Sequence, residues 1–211
     1  MKKIALLPFL LALIATSVFA QAKPKFNYAA QKAIIPADLG QVYLGMPLKD
    51  LAARIDISKA EADDRFDWLE LQIPFAKGNV TGLVVRVHGL SMEEKAEILR
   101  EARVKKEAAN GAVYETDVKQ IKPGAVFSKG FVYSMYVGFK QTIDLKKYLD
   151  GVYGKGTERT ADDPYHFYDT QWIKKTPDGL VTMIRAFHKD GARDVQLLGM
   201  IDGTEWDPGV N

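Results

Sequence analysis

The sequence contains no cysteine. Disulfide bonds, a thiol nucleophile, thiolate metal ligands and lipid attachment to an N-terminal cysteine are therefore excluded. The stability of the fold must come from a hydrophobic core. With 47% hydrophobic and 27% charged residues, the composition is typical of a globular protein and not of a disordered one.

Histidine is scarce, and its spacing does not favour a metal site. The three histidines are His88, His166 and His188. No two of them stand at the i, i+2 or i, i+4 spacing that presents two ligands on one element. His88 falls in a strand-like stretch, where a half-exposed structural role is expected. No metal and no cofactor are predicted.

Motifs of catalysis are also missing. No serine lies in a Gly-x-Ser-x-Gly or a Ser-x-x-Lys motif. The glycines of 151–157 lack the P-loop pattern and close a predicted helix, so the backbone amides point away from any phosphate. The acidic clusters at 61–64, 162–163 and 202–207 lack the spacing of a calcium loop and are expected to be solvated. We therefore predict that the protein is not an enzyme, while carboxylates that are distant in the sequence escape such a search.

A long apolar run and a basic excess occur only at the N-terminus. Lys2 and Lys3 precede the apolar residues 4–15, and Val18 and Ala20 stand at the −3 and −1 positions of a cleavage site. This pattern predicts a signal peptide over residues 1–20, since the apolar run is too short to span a bilayer. Cleavage removes two lysines and leaves 27 of the 29 basic residues against 27 acidic ones. We expect a periplasmic or secreted protein with no remaining membrane span and no nucleic-acid partner.

Hydrophobic periodicity predicts a first α+β half over residues 41–128, after an extended lead-in over 21–40. Alternation predicts strands over 41–46, 66–75 and 80–90, and helical spacing predicts a helix that begins after Pro47. The capping box Ser91-Met92-Glu93-Glu94 and the stop signal Asn110-Gly111 predict a second helix over 91–109. Residues 112–128 are predicted to be a connector.

Residues 129–211 repeat this order and form the predicted second half. A strand over 131–139 is apolar on both faces and is expected to be central; a helix over 142–154 and strands over 171–174, 180–187 and 195–201 follow. "TGLVVRV" (81–87) is similar to "DGLVTMIR" (178–185), by duplication or by common strand chemistry. The predicted fold class is α+β, a mainly antiparallel sheet packed with short helices. It consists either of two tandem strand–helix–strands units or of one domain.

Two short segments carry a resemblance to a known group of proteins. "LGMPLKDL" (44–51), which leads from a strand into a helix, and "VYGKG" (152–156) resemble motifs of small exported α+β modules. These modules include the β-lactamase-inhibitor-protein-like fold and the small lipoprotein of the outer-membrane assembly machine. The resemblance covers roughly 40–90 and 131–201, and the attachment cysteine of the lipoprotein is missing. It implies non-catalytic binding, usually to another protein.

The densest group of rings, "DDPYHFYDTQW" over 162–172, is the predicted binding site. Tyrosine and tryptophan offer a large contact area with few rotatable bonds, which favours them at interfaces. The predicted binding residues are Tyr165, His166, Tyr168 and Trp172. The alternative is that part of this stretch is a strand whose rings fill the core.

The predicted function is that of an exported, soluble, non-catalytic binding protein of the cell envelope. Its expected partner is another envelope or extracellular protein. Two alternatives stay open at this point: a small envelope hydrolase with scattered catalytic residues, and a small-molecule carrier with a cavity between sheet and helices.

Overall fold

The computed structural model describes residues 25–159 and 167–200. The predicted signal peptide and the predicted site residues Tyr165 and His166 lie outside these ranges. The strands are β1 Glu61–Asp63, β2 Leu69–Ile73, β3 Val80–His88, β4 Leu99–Glu107, β5 Val113–Ile121, β6 Phe131–Phe139, β7 Thr157–Glu158, β8 Thr170–Lys175, β9 Val181–Phe187 and β10 Asp194–Met200. The helices are α1 Tyr28–Gln31, a 3-10 helix Ala37–Leu39, α2 Leu48–Arg54, α3 Met92–Ile98 and α4 Leu145–Tyr153.

The ten described strands form one antiparallel sheet in the order β4-β5-β1-β2-β3-β6-β10-β9-β8-β7. On one side of the β3–β6 pair lie β1, β2, β4 and β5, and on the other side lie β7, β8, β9 and β10. The prediction of a mainly antiparallel sheet with short helices is confirmed. The sheet continues across the predicted boundary at residue 128. Within the described ranges, the helices are too short or too polar to cross a membrane.

The two faces of the sheet differ because side chains alternate along each strand. On the core face, one cross-strand row of buried side chains runs over six strands: Leu71, Val85, Met135, Leu197, Ile184 and Trp172. Buried leucines of α2 and α4 join the same hydrophobic cluster. The helices therefore cover this face. We call the opposite face the polar face; its equivalent row is Gln72, Val84, Tyr136, Gln196, Arg185 and Gln171.

The segment 41–47 is not the strand that its alternation predicts. It is an irregular loop laid against β6: the Gly45 amide donates to the Val132 carbonyl at 2.7 Å, and the Val132 amide donates to the Met46 carbonyl at 2.8 Å. The buried Gln31 side chain bonds both backbone groups of Leu44, at 2.9 and 3.0 Å. The apolar side chains are buried as predicted, although the backbone turns at Gly45 with a φ of 84°.

The lead-in is also less extended than predicted, since α1 and the 3-10 helix lie within it. Ile34 and Ile35 are buried in the core, so this segment docks on the body of the fold.

The largest error of the sequence analysis concerns residues 99–121. The capping box at Ser91 and Glu94 does start a helix, but α3 ends at Ile98, and the predicted helix end and connector form the hairpin β4–β5. Asn110-Gly111 lies at the tip of this hairpin. Cross-strand pairing explains the outcome: Arg103 lies opposite Asp117, and their side chains form an ion pair at 3.0 Å. Such pairs favour the strand over the helical propensity of the sequence.

The Gly45 turn offers a stability test. The substitution Gly45→Ala places a Cβ into the Phe26 ring at a backbone angle that alanine adopts with strain. Gly179→Ala is the matched control, since its φ is 88° and its Cβ meets no atom within 4 Å. We expect about 1–2 kcal/mol of destabilisation for the control and about 1–3 kcal/mol more for Gly45→Ala. Urea unfolding measures both; equal losses would show that Phe26 does not hold the turn in place.

Candidate functional site

The candidate site is the part of the polar face formed by β2, β3 and β6. Glu70 and Gln72 project from β2, Arg86 from β3 and Tyr136 from β6, because each stands at an alternate position to a buried core residue. The face is more closely packed towards β10, where Ser134, Gln196 and Leu198 are buried.

A cluster of five rings lies at one end of this surface. We call Phe66, Trp68, His88, Phe131 and Tyr133 the ring cluster. Phe66 and Trp68 stack in nearly parallel planes with centroids 4.8 Å apart, and Trp68 stacks on His88 at 5.9 Å. His88 in turn lies 4.4 Å from the Tyr133 ring and 6.5 Å from the Phe131 ring. Stacked rings immobilise one another, so the cluster is ordered before any partner binds.

An irregularity in strand pairing directs Tyr133 into the ring cluster. Arg86 pairs with Ser134, whereas the next residue, Val87, pairs with Val132. Tyr133 is therefore the extra residue of a β-bulge in β6. Bulges redirect a side chain at the point where they occur, and this one places the Tyr133 ring beside His88.

Arg86 connects the ring cluster with the rest of the polar face. Its guanidinium lies between two rings, 5.0 Å from the Trp68 centroid and 4.9 Å from the Tyr136 centroid. Its Nε donates to Glu70 Oε2 at 2.9 Å in the directly opposite strand position. The cation is thus held by two cation–π contacts and one charge-assisted hydrogen bond.

A buried lysine positions the stacked pair of Phe66 and Trp68. Lys95 of α3 is 1% exposed, which is rare for lysine unless its ammonium is bonded. The ammonium donates to the Phe66 carbonyl at 2.6 Å and to the Trp68 carbonyl at 3.3 Å. Because α3 fixes Lys95, the loop that carries the two rings is fixed as well.

His88 is a half-buried ring stacked within this cluster. Burial lowers the pKa of His88 below its ordinary value of 6.5, and the nearby cations Lys95 and Arg86 act in the same direction, against the opposing effect of Asp67. Within the described ranges, no three histidine, aspartate or glutamate side chains converge as metal ligands would.

A groove of about 430 Å³ lies along β3 and β6 at the end of these strands away from the ring cluster. Gly82 and Gly138 lie opposite each other and leave its floor without side chains. Tyr136, Gln72 and Asp194 are among the residues that line it. A second groove of about 460 Å³ lies towards the β4–β5 hairpin and is lined by Asp63, Lys119 and other charged residues.

The structure separates the predicted site residues that it describes. Trp172 is 4% exposed, packs against Tyr153 and donates its indole N–H to the Gly154 carbonyl at 2.7 Å. It therefore has the core role that was the alternative interpretation. Tyr168 is buried on the polar face under Arg185, while Phe167 is 82% exposed. The binding role of Tyr168 and Trp172 stays a prediction, as does that of Tyr165 and His166, which the structure does not describe.

The ring cluster was not predicted from the sequence, although part of its signal is visible there. Trp68, Glu70 and Gln72 alternate with Leu69, Leu71 and Ile73, and an aromatic residue on an otherwise polar strand face is unusual. The other rings come from positions 66, 88, 131 and 133, and the pairing of β3 with both β2 and β6 brings them together.

Replacing Lys95 tests its positioning role. Lys95→Met leaves two carbonyls without a donor, so we expect a loss of about 1–3 kcal/mol in unfolding free energy and a changed near-ultraviolet circular dichroism of the stacked rings. Lys122→Met is the matched control, since Lys122 also donates to two carbonyls, those of Ala96 and Glu97, in an exposed position. Water replaces that donor, and we expect a smaller loss. An equal effect of both variants on the ring signal would contradict the positioning role.

Titration tests the burial of His88. Its folded pKa is lowered, so below pH 6.5 the unfolded chain takes up a proton that the folded chain does not. Stability is therefore present above that pH and is lost as the pH falls. His88→Phe keeps a stacking ring without this titration. Between about pH 7.5 and 5.5, wild type should lose more stability than the variant, as measured by chemical unfolding; parallel curves would show that His88 is not desolvated.

Comparison with known proteins adds no assignment to this geometry. No family model, curated protein or solved structure matches the chain. The resemblance to β-lactamase-inhibitor-protein-like modules stays a prediction.

Proposed function

We propose that this chain is an exported, non-catalytic binding protein of the cell envelope, and that it binds another protein through the ring cluster and the adjoining polar face. The predicted signal peptide supports the location. The observation that carries the binding role is the stack of Phe66, Trp68 and His88 beside Arg86, on the face opposite α2 and α4.

The residue types favour a protein partner. Tryptophan, tyrosine and arginine dominate the energetics of protein interfaces, and here all three meet in one contact network. Phe66 is 44% exposed, so its ring is available to a partner. The partner gains affinity because Lys95 and the stacking contacts have already fixed these side chains, and little conformational entropy is lost on binding.

The size of the surface indicates how much of it a partner must cover. Strands β1, β2, β3 and β6 span ~19 Å, and the nine residues of β3 extend ~30 Å, which gives ~570 Å². A standard interface buries ~800 Å² on each partner. The partner must therefore contact a neighbouring element as well. The β4–β5 hairpin is the nearest candidate, since Lys106 reaches Glu61 of β1 at 2.6 Å.

We infer in addition that the protein contains two related units. The order helix, short strand, long strand, long strand occurs in α2-β1-β2-β3 and again in α4-β7-β8-β9. In each unit the three strands are neighbours in the sheet. The third strand of each carries an arginine on the polar face, Arg86 or Arg185, whose Nε donates to the residue directly opposite, Glu70 or Gln171. The similar segments 81–87 and 178–185 lie on the same two strands, although alignment of their shared Gly-Leu-Val offsets Arg86 from Arg185 by two residues.

The proposal predicts that Phe66→Ser weakens partner binding without unfolding the protein. Loss of a central aromatic contact costs about 2 kcal/mol or more, a drop in affinity of about thirtyfold. Val152→Ser is the matched control, because Val152 is 47% exposed on α4, on the other side of the sheet. The partner is first captured from envelope extract with the tagged wild-type chain and identified, and calorimetry then measures its affinity for each variant.

Three outcomes would contradict this proposal. One is that no stoichiometric protein is captured. Another is that Phe66→Ser and Val152→Ser bind the captured protein equally well. The third is that the purified chain turns over glycan or peptide substrates, which would favour an envelope hydrolase.

A further inference from the structure

Two arginines occupy equivalent positions on the polar face but have different partners. Arg86 forms an ion pair with Glu70 at 2.9 Å. Arg185 donates from the same nitrogen, Nε, to the neutral amide oxygen of Gln171 at 3.1 Å. Both acceptors lie directly opposite their arginine in the adjacent strand. Arg185 and Gln171 thus repeat the geometry of Arg86 and Glu70 without the negative charge of Glu70.

Arg185 is also held in place by its neighbours. Its guanidinium lies 5.2 Å from the centroid of the Tyr168 ring, and its Nη2 contacts the sulfur of Met183 at 3.7 Å. The side chain is half-buried. None of the ion pairs formed within residues 25–159 and 167–200 includes Arg185.

A half-buried cation without a counter-ion is costly, since burial removes water and no opposite charge replaces it. Arginine keeps its charge at every relevant pH and presents a planar fork of donors. With Nε bonded to Gln171 and one Nη2 donor directed at the Met183 sulfur, both Nη1 donors and the second Nη2 donor remain for a ligand. They suit the oxygens of a carboxylate or a phosphate, which arginine binds through parallel hydrogen bonds.

We propose that Arg185, oriented by Tyr168 and Gln171, binds a carboxylate or phosphate group. This inference rests on the proposed function in so far as the group belongs to the protein partner. Three strand spacings separate β9 from β3, so the anion would lie ~14 Å across the sheet from the β3 part of the polar face. The position of Arg185 would then fix the orientation in which the partner lies on the sheet.

The test exchanges the two acceptors. Gln171→Glu gives Arg185 the same carboxylate partner that Arg86 has, with almost no change in shape. Glu70→Gln removes that partner from Arg86 and is the matched reverse exchange. The probes are inorganic phosphate and acetate, titrated at constant ionic strength against chloride, and the readout is the Nε–H signal of each arginine in nuclear magnetic resonance spectra.

In wild type, we expect the Arg185 signal to shift saturably with phosphate, acetate or both, and the Arg86 signal not to do so. Gln171→Glu should weaken the Arg185 response at least about tenfold, and Glu70→Gln should create a response at Arg86. The anion that acts at the lower concentration identifies the group. Equal responses of the two arginines in wild type, or an unchanged response in Gln171→Glu, would overturn the proposal.

Arg185→Gln serves as a second variant. Its readout is the side-chain amide signal of Gln171, the residue to which Arg185 donates; removal of the cation must abolish the response of that signal to the anion if Arg185 is the site, and thermal unfolding verifies that each variant is folded. With a captured partner, unchanged affinity of Gln171→Glu would refute the role of Arg185 in partner binding and leave the proposed function intact. Failure to capture any partner would contradict the proposed function, while the phosphate and acetate titrations would still decide the anion site.

Discussion

The pairing of β3 with β6 is the interaction on which the rest of the structure depends. It joins residues 80–88 to residues 131–139 and is the contact by which the strands of the two halves become one sheet. On the core face, it aligns Val85 with Met135 within the buried row. On the polar face, it brings Arg86 beside Tyr136, and its bulge places Tyr133 beside His88. The fold and the candidate site thus both depend on this pairing. A change in its register would separate the residues of the buried row and those of the candidate site.

The elements that could be predicted from the sequence are those whose pattern lies within the segment itself. Strands 69–73, 80–88 and 131–139 and the helix after Pro47 were recognisable because their apolar residues follow a clear period. The predicted helix over 91–109 was wrong beyond Ile98, since residues 99–107 pair along their whole length with residues 113–121, and helix propensity does not include a partner strand. The strand predicted at 41–46 was wrong for a similar reason: Gln31 and Val132 bond this segment from elsewhere in the chain.

The candidate site was harder to predict than the fold because it is assembled from three separate segments. A compact run of rings directed attention to 162–172, yet Trp172 belongs to the core. The rings of the cluster stand singly or in pairs in the sequence, and the lysine that positions two of them lies on a helix. Of the predicted binding residues that the structure describes, Tyr168 contacts the polar face, since its ring packs under Arg185. A search for dense motifs finds local clusters, whereas sheet surfaces are built across strands.

The central claim is that a protein partner covers the polar face at β2 and β3. Photo-crosslinking in the envelope tests this claim most directly. A crosslinking residue at Gln72, which is exposed on that face, is compared with one at Lys147, which is exposed on α4 on the helix side of the sheet. The account predicts a discrete protein adduct from position 72 and none from position 147. Adducts from position 147 alone, or the same adducts from both positions, would contradict it.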